Sequence, residues 1–170
     1  MQPPNITRDP SRAVGLQVRV ERRAGCLTTV AAAGFAAGTE VLFVDGDVVD
    51  RPDRYSVQIG MGEHVTAGRI GETDGSSGRH LWRFLNHSCR PNAQLRGRTL
   101  VASRDIAVGE DVTFDYEANE YEMAEPFFCS CGVPECRGWI RGWRFLSSAQ
   151  RAVIASRAAP WLRAARTSAD

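Results

Sequence analysis

Short runs of β-favouring residues, cut about every ten residues by turn residues, are the feature that most limits the folds open to this chain. They extend from Leu16 to Tyr116 as the segments LQVRV, CLTTVAA, EVLFV, YSVQIG, HVTA and DVTFDY. The segment QLRGRTLVAS adds a hairpin with Gly97 in its turn. Because evenly spaced short strands are typical of β-rich domains, we predict a mainly β fold of several small sheets with short helices.

Composition restricts the function classes. The chain has 170 residues, of which 43% are hydrophobic and 24% charged, which fits one domain with a buried core. The net charge of +1 gives no electrostatic basis for nucleic acid or an anionic membrane as the main partner. The N-terminus shows no signal-peptide pattern, and the most apolar stretch, VAAAGFAAGTEVLFV, is short and broken by Glu40. We therefore expect a cytoplasmic protein with no membrane span.

The basic residues are unusual because the sequence contains no lysine. Apart from three histidines, every basic side chain is an arginine. A GC-rich genome explains such a bias, so we expect a bacterial source.

The chain divides into four segments by composition. Residues 1–14 are expected to form a flexible tail, and residues 15–118 the β-rich domain, with a Gly/Ser loop at residues 71–80. Residues 119–145 are first acidic and aromatic and then rich in Cys, Gly and Pro. Residues 146–170 are expected to be helical.

The predicted C-terminal helix has recognisable signals at its start and near its end. Ser147 and Gln150 fit a capping box, and Pro160 marks a break or restart. Val153, Ile154 and Leu162 are expected to form the buried face.

Three cysteines lie close together as C-x-C-x4-C, at Cys129, Cys131 and Cys136. The loop that carries them has too few apolar residues to bury three thiols. Cysteines of cytosolic proteins more often bind metals or take part in catalysis than form disulfides. Structural zinc takes four ligands, so one is missing. Cys26 lies in an apolar strand and is expected in the core, which leaves Cys89 as the fourth ligand. Plain reduced cysteines are the alternative, and a redox switch is disfavoured because the C-x-x-C spacing is absent.

Three motifs occur in one order: RFLNHSC-PN, then GEDVTFDY, then CSCG----CRG. Together they resemble the SET-domain family of protein lysine methyltransferases with its post-SET zinc segment, over roughly Leu16 to Trp143. The resemblance implies a SET-type β-clip fold, in which small sheets surround a knot-like crossing. Residues 15–118 would then be the SET domain, residues 119–145 the zinc-binding post-SET tail, and residues 146–170 a C-terminal helical addition.

The resemblance also implies roles for single residues. Tyr116 takes the position of the catalytic tyrosine, and Phe114 and Tyr55 are expected at the channel for the substrate lysine. The cosubstrate S-adenosylmethionine (AdoMet) would be bound by Gly25, Asn86, His87, Tyr116 and Trp139. A structural zinc ion would be held by Cys89, Cys129, Cys131 and Cys136.

The implied function is AdoMet-dependent protein lysine N-methylation. Phe114 favours di- or trimethylation, because a Tyr hydroxyl there would occupy the space of a methylated amine. The expected partner is a lysine-containing protein or peptide, such as a histone-like or ribosomal protein. Two departures from the family pattern, Arg23 at a usual glycine and Val44 at a usual channel tyrosine, leave a non-catalytic binding module with structural zinc as the alternative. The sequence does not indicate the oligomeric state.

Overall fold

The computed structural model describes residues 17–68 and 78–165. The expected N-terminal tail and most of the expected Gly/Ser loop therefore lie outside the described residues. Within them, the chain consists of short strands and short helical turns, as predicted. None of the helices in these two ranges is long and apolar enough to cross a membrane.

The strands have two to six residues each. In chain order they are β1 (Val18–Arg23), β2 (Cys26–Ala31), β3 (Glu40–Phe43), β4 (Asp47–Val49), β5 (Val57–Gly60), β6 (Glu63–Thr66), β7 (Asn86–His87), β8 (Ala93–Arg96), β9 (Thr99–Ala102), β10 (Thr113–Phe114), β11 (Phe127–Phe128) and β12 (Trp139–Ile140). The α-helices are α1 (Ser148–Ile154) and α2 (Pro160–Ala164), and single 3₁₀ turns span Leu81–Phe84, Tyr116–Ala118 and Trp143–Phe145.

The strands form five small sheets in the described residues. β1 pairs with β2, β7 pairs with β10, β11 pairs with β12, and two three-stranded sheets have the orders β3-β9-β8 and β4-β6-β5. β8 and β9 form the predicted hairpin around Gly97, whose φ of 61° suits glycine. The segment expected as one strand, DVTFDY, contributes only Thr113–Phe114 as β10.

The turn between β1 and β2 is a tight two-residue connection. Arg23 pairs with Cys26, and the two residues between them, Ala24 and Gly25, have φ values of 46° and 85°. Positive φ at both positions is the type I′ geometry that matches the twist of a hairpin. This turn leaves Cys26 exposed, so the expectation that Cys26 lies in the core was wrong.

Sheet β7-β10 is the only parallel pair among the described strands. Phe114 is in register with His87, and the amide of Ser88 donates to the carbonyl oxygen of Phe114 at 3.1 Å. The buried side chain of Asn92 braces this pair, because its Oδ1 accepts from the amide of Thr113 at 2.9 Å. Two motifs far apart in the chain are thereby held side by side at the centre of the fold.

The C-terminal helices close a second, smaller core. Ser147 caps α1 in the predicted capping box with Gln150, and α2 starts at Pro160. The buried side chains of this second core are Ala118, Trp143, Leu146, Ile154, Ala158, Ala159 and Leu162. The prediction was wrong for Val153, which is 72% exposed, because α1 packs through Ile154 alone at this point.

Candidate active site and metal centre

Tyr116 begins the 3₁₀ turn that follows β10. Its hydroxyl donates to the carbonyl oxygen of Leu85 at 2.6 Å, and its amide donates to Nδ1 of His87 at 3.1 Å. Burial, with a smaller contribution from the charge of Glu120, raises the pKa of Tyr116 above its usual range. The phenol is therefore neutral at physiological pH, and its oxygen keeps lone pairs that can accept a hydrogen bond.

Aromatic rings surround Tyr116. The ring of Phe114 lies 4.8 Å from that of Tyr116 between centroids, and the rings of His87 and Phe127 lie at 5.3 and 5.9 Å. Phe114 is buried in the main core. The tyrosine ring thus lies in an aromatic cluster, and apolar surroundings of this kind suit a neutral amine better than an ammonium ion.

Asn86 and His87 form β7, next to Tyr116. Burial, followed by the nearby charge of Arg137, lowers the pKa of His87 to about 3, so the imidazole is neutral. Its Nδ1 accepts from the Tyr116 amide, and its Nε2 lies 3.3 Å from Sγ of Cys89. Both ring nitrogens are engaged, so a contact from His87 to AdoMet would come from its backbone.

The Asn86 side chain is partly buried, and its Nδ2 donates to the carbonyl oxygen of Leu27 at 3.3 Å. This bond joins β7 to the start of β2, close to the turn that contains Gly25. Of the expected AdoMet residues, Gly25 thus lies in the turn of this hairpin and Asn86 contacts its second strand. The guanidinium of Arg23, at the position of the usual glycine, pairs with Glu21 and Asp111.

Two other predicted site residues lie at the surface. Trp139 is 42% exposed on β12, and its ring contacts that of Phe128 at 4.4 Å. Tyr55 was expected on a strand, but it precedes β5, is 53% exposed and is covered by the guanidinium groups of Arg54 and Arg83. Their contacts with AdoMet and with the substrate stay predictions.

The four cysteines predicted as zinc ligands come together. The Sγ atoms of Cys89, Cys129, Cys131 and Cys136 all lie within 4.8 Å of one another. Tetrahedral zinc with bonds of about 2.3 Å places its sulfur ligands about 3.8 Å apart, so these four thiols fit one ion with little adjustment. Cys26 is not in the cluster.

Backbone amides support the thiolate form of this cluster. The amide of Arg137 donates to Sγ of Cys89, and that of Cys131 donates to Sγ of Cys129, both at 3.4 Å. Burial opposes ionisation and raises the pKa of Cys89 to about 11. At Cys131 burial also acts in that direction, but hydrogen bonds from backbone amides and from the thiols of Cys129 and Cys136 outweigh it and lower the pKa to about 6. Zinc would complete the deprotonation, since metal coordination displaces the thiol proton.

A buried network of charges lies between the tyrosine and the cysteines, and sequence reasoning missed it. Asp115 and Glu117, on either side of Tyr116, are paired with Arg137, and Asp115 is also paired with Arg157. Asp115 and Glu117 are almost fully buried, so cations must be near them, because an unpaired buried charge is very costly. No local signal indicates which arginines those are.

Comparison with known proteins identifies the family. The sequence model of the SET domain matches residues 27–117, more than half of the chain. The chain belongs to the SET-domain family. The matched residues include β7, β10 and Tyr116, and the mainly β fold predicted from the motifs is confirmed.

The relatives of this SET domain include named histone methyltransferases. One is the histone-lysine N-methyltransferase, H3 lysine-4 specific, of Schizosaccharomyces pombe, 35% identical over 55% of this chain and 11% of that protein. Another is the H3 lysine-36 specific enzyme of Yarrowia lipolytica, 36% identical over 68% of this chain and 17% of that protein. This SET domain therefore spans less than a fifth of either relative. Both organisms are fungi, so these relatives do not support a bacterial source.

A solved structure shares the fold of this SET domain. The structure of KRYPTONITE in complex with mCHH DNA, H3(1-15) peptide and SAH aligns with a TM-score of 0.51 at 23% identity, over 72% of this chain and 29% of that one. Since that SET-domain protein is bound to DNA, the comparison gives no support to the expectation that nucleic acid is not a partner.

Proposed function

We propose that this chain is an AdoMet-dependent protein lysine N-methyltransferase. The observation that carries the proposal is the position of Tyr116. Its hydroxyl donates a hydrogen bond to the carbonyl oxygen of Leu85, and its ring lies in an aromatic cluster beside β7. The names of the SET-domain relatives support the same activity. Because the chain spans only a small part of those relatives, the activity is inferred from the site.

The reaction is an in-line displacement, in which the lysine nitrogen attacks the methyl carbon of AdoMet and the sulfur leaves as a thioether. The amine must first lose its proton to solvent water, and its free pKa is about 10.4. We expect the side chains of Phe114 and Tyr116 to line an apolar channel for the lysine, which would disfavour the ammonium form and so lower that pKa. The alignment of nitrogen, methyl and sulfur can supply about 7–11 kcal/mol of the barrier reduction.

Tyr116 is suited to orient the amine. Its hydroxyl proton is directed to Leu85, so its oxygen can accept a hydrogen bond from an N–H of the neutral lysine. That bond fixes the rotation of the amine and points the nitrogen lone pair away from the tyrosine. With its raised pKa, Tyr116 would act as a neutral phenol and not as a strong base.

The zinc ion would be structural. Four thiolates complete a tetrahedral site and leave no open position for substrate. The ion would hold the segment that carries Phe127, whose ring contacts both His87 and Tyr116. The amide of Cys129 donates to the carbonyl oxygen of Gly138 at 2.7 Å, which continues the pairing of β11 with β12 up to the cluster.

Product and substrate are part of the proposal. Phe114 places no hydroxyl beside Tyr116, which favours di- or trimethylation. The proposed substrate is a lysine-containing protein or peptide of the histone-like or ribosomal kind, in the cytoplasm.

The test is methyl transfer from labelled AdoMet to basic peptides and to a cell lysate, with labelled proteins identified by mass spectrometry. Methyl transfer to lysine supports the proposal if the Tyr116→Phe substitution strongly reduces that transfer. Absence of transfer to every substrate, together with no AdoMet binding by calorimetry, supports instead a non-catalytic module. Arg23, in place of the glycine expected near the methionine end of AdoMet, favours that alternative.

A further inference from the structure

Arg157 lies between α1 and α2, forty residues beyond the end of the matched SET-domain region. Its Nε and Nη2 donate to Oδ2 of Asp115 at 3.1 and 2.9 Å. Its Nη2 also donates to the backbone carbonyl oxygen of Cys89 at 3.1 Å. One guanidinium from the C-terminal segment therefore joins the residue before Tyr116 to a candidate zinc ligand.

Asp115 depends on this contact because its side chain is only 1% exposed. Each carboxylate oxygen has its own cation: Oδ1 pairs with Arg137, and Oδ2 pairs with Arg157. Arg137 is shared, since its Nε also bonds Glu117 at 2.7 Å. Without Arg157, Oδ2 would lose its guanidinium donors inside the protein, and a buried charge left without its partner is strongly destabilising.

The orientation of Asp115 affects Tyr116 through the backbone. Its Oδ1 accepts from the amide of Glu117 at 3.2 Å and so caps the 3₁₀ turn that begins with Tyr116. If the Asp115 carboxylate rotates toward a different donor, its Oδ1 no longer accepts from the amide of Glu117, and the cap is lost. The turn, and the tyrosine ring on it, would then change position.

Arg157 is held firmly enough to set that orientation. The backbone amide of Arg157 donates to the carbonyl oxygen of Ile154 at 3.1 Å. The amide of Ala159 donates to the carbonyl oxygen of Ala118 at 2.8 Å. Ile154 and Leu162 are fully buried on either side of it. The guanidinium therefore projects from a docked segment.

We propose that Arg157 is a positioning residue, which orients Tyr116 through Asp115 and makes the C-terminal helical segment part of the catalytic unit. The catalytic part of this inference rests on the proposed function. The structural part, that Arg157 sets the position of Tyr116, can be measured without turnover.

The experiment uses the zinc-loaded full chain labelled with 3-fluorotyrosine. The chain has three tyrosines, so fluorine NMR gives three signals. The Tyr116→Phe variant identifies the Tyr116 signal by its disappearance. The variants are Arg157→Met, Arg157→Lys and the control Arg163→Met, which changes an exposed arginine in α2. We expect Arg157→Met to shift the Tyr116 signal, Arg157→Lys to restore it in part, and Arg163→Met to leave it unchanged.

The Tyr121 signal separates positioning from unfolding, because Tyr121 packs against the C-terminal core. A shift of Tyr116 with Tyr121 unmoved supports the inference. If the Tyr116 signal does not move, the inference is overturned. It is also overturned if both signals move and zinc is lost in Arg157→Met and in Arg157→Lys alike, because that pattern means that the C-terminal segment has unfolded.

Kinetics give the catalytic readout. We expect kcat of Arg157→Met to fall roughly 10- to 100-fold, as for reacting groups displaced by a fraction of an ångström, while KM for peptide and AdoMet stays within a few-fold. A loss confined to KM would contradict the inference. If the natural chain methylates nothing, the proposed function fails, and the fluorine spectra still decide whether Arg157 positions Tyr116.

Discussion

The hydroxyl of Tyr116 donates a hydrogen bond of 2.6 Å to the backbone carbonyl oxygen of Leu85, the residue immediately before β7. The bond joins the tyrosine directly to the strand that carries Asn86 and His87. Because the acceptor is a main-chain atom next to a paired strand, the direction of the phenol O–H depends on the backbone and not on a mobile side chain.

Tyr116→Phe should slow every methyl transfer. Loss of the oxygen removes the acceptor that orients the amine, and removing one preorganised hydrogen-bonding group of an active site typically costs about 10²–10³ in kcat. Stability should fall by only about 1 kcal/mol, for one lost hydrogen bond. Initial rates and thermal unfolding measure both effects. Tyr121→Phe, at a ring that packs against the C-terminal core, is the control, and an unchanged rate in Tyr116→Phe would exclude the proposed role.

Phe114→Tyr should shift the product toward monomethyl-lysine without abolishing activity. The added hydroxyl would lie beside Tyr116, whose ring is 4.8 Å from that of Phe114, and would fill space that a methylated amine needs. A hydrogen bond of about 0.5–1.5 kcal/mol changes a rate by about tenfold. Intact-mass spectra of a substrate peptide under excess AdoMet measure the products. A natural chain that stops at one methyl group would contradict this prediction.

The chain should bind about one zinc ion per molecule, the number that one four-thiolate site accommodates. Cys89→Ser should lose it, and chelation should disorder the segment carrying Cys129, Cys131 and Cys136 first, because metal binding there substitutes for a core. Elemental analysis and proteolysis with and without chelator measure this. Cys26→Ser, at an exposed cysteine outside the cluster, should keep the metal. An active protein without zinc would refute the assignment.

The chain should not methylate its own side chains. It contains no lysine, so the α-amino group is the only primary amine available. Peptide mapping after long incubation with AdoMet tests this. An internal methylated residue would show that this chain accepts a nucleophile other than lysine.

The contribution of Glu120 to stability should fall as pH rises from about 5 to 8, whereas the lowered pKa of His87 contributes stability that grows as pH rises toward 6.5. Burial raises the pKa of this carboxyl to about 7 from 4.5, although Oε1 accepts from the amide of Gln58 at 2.9 Å. Since the folded pKa is the higher one, the contribution to stability is complete below pH 4.5 and is lost as pH passes through 7. The loss is on the order of 3 kcal/mol.

Glu120→Gln should remove this pH dependence. The amide stays neutral and keeps an oxygen for Gln58, so the variant should become more stable than the natural chain as pH rises to 8. Unfolding midpoints at pH 5, 6.5 and 8 measure the difference. Glu63→Gln, at an exposed carboxyl on β6, should follow the natural chain. Parallel curves for Glu120→Gln and the natural chain would disprove the assignment.

Features decided by near neighbours in the chain could be predicted from sequence. The capping box of Ser147 and Gln150 formed, and Gly97 lies in its hairpin turn. Cys129 and Cys131 are too close in sequence to be far apart in space. Each is a short-range relationship, in which residue type and spacing already determine the geometry.

Exposure of single side chains was less predictable. Val153 and Ile154 are adjacent and equally apolar, yet one is 72% exposed and the other fully buried. Cys26 follows a β pattern, but the turn of Ala24 and Gly25 directs it to solvent. Periodicity defines a face of a strand or helix, whereas the partner element decides which residues of that face are covered.

The sequence by itself determined the small-sheet fold and the cysteine cluster, and its family resemblance assigned the catalytic position to Tyr116. Only the tertiary structure decided how that tyrosine is held. The pairing of Asp115 with Arg157 joins residues 42 positions apart, and no local pattern distinguishes Arg157 from the other arginines. The physical reason is that a buried carboxylate selects its partner by distance and desolvation, and both are properties of the assembled fold.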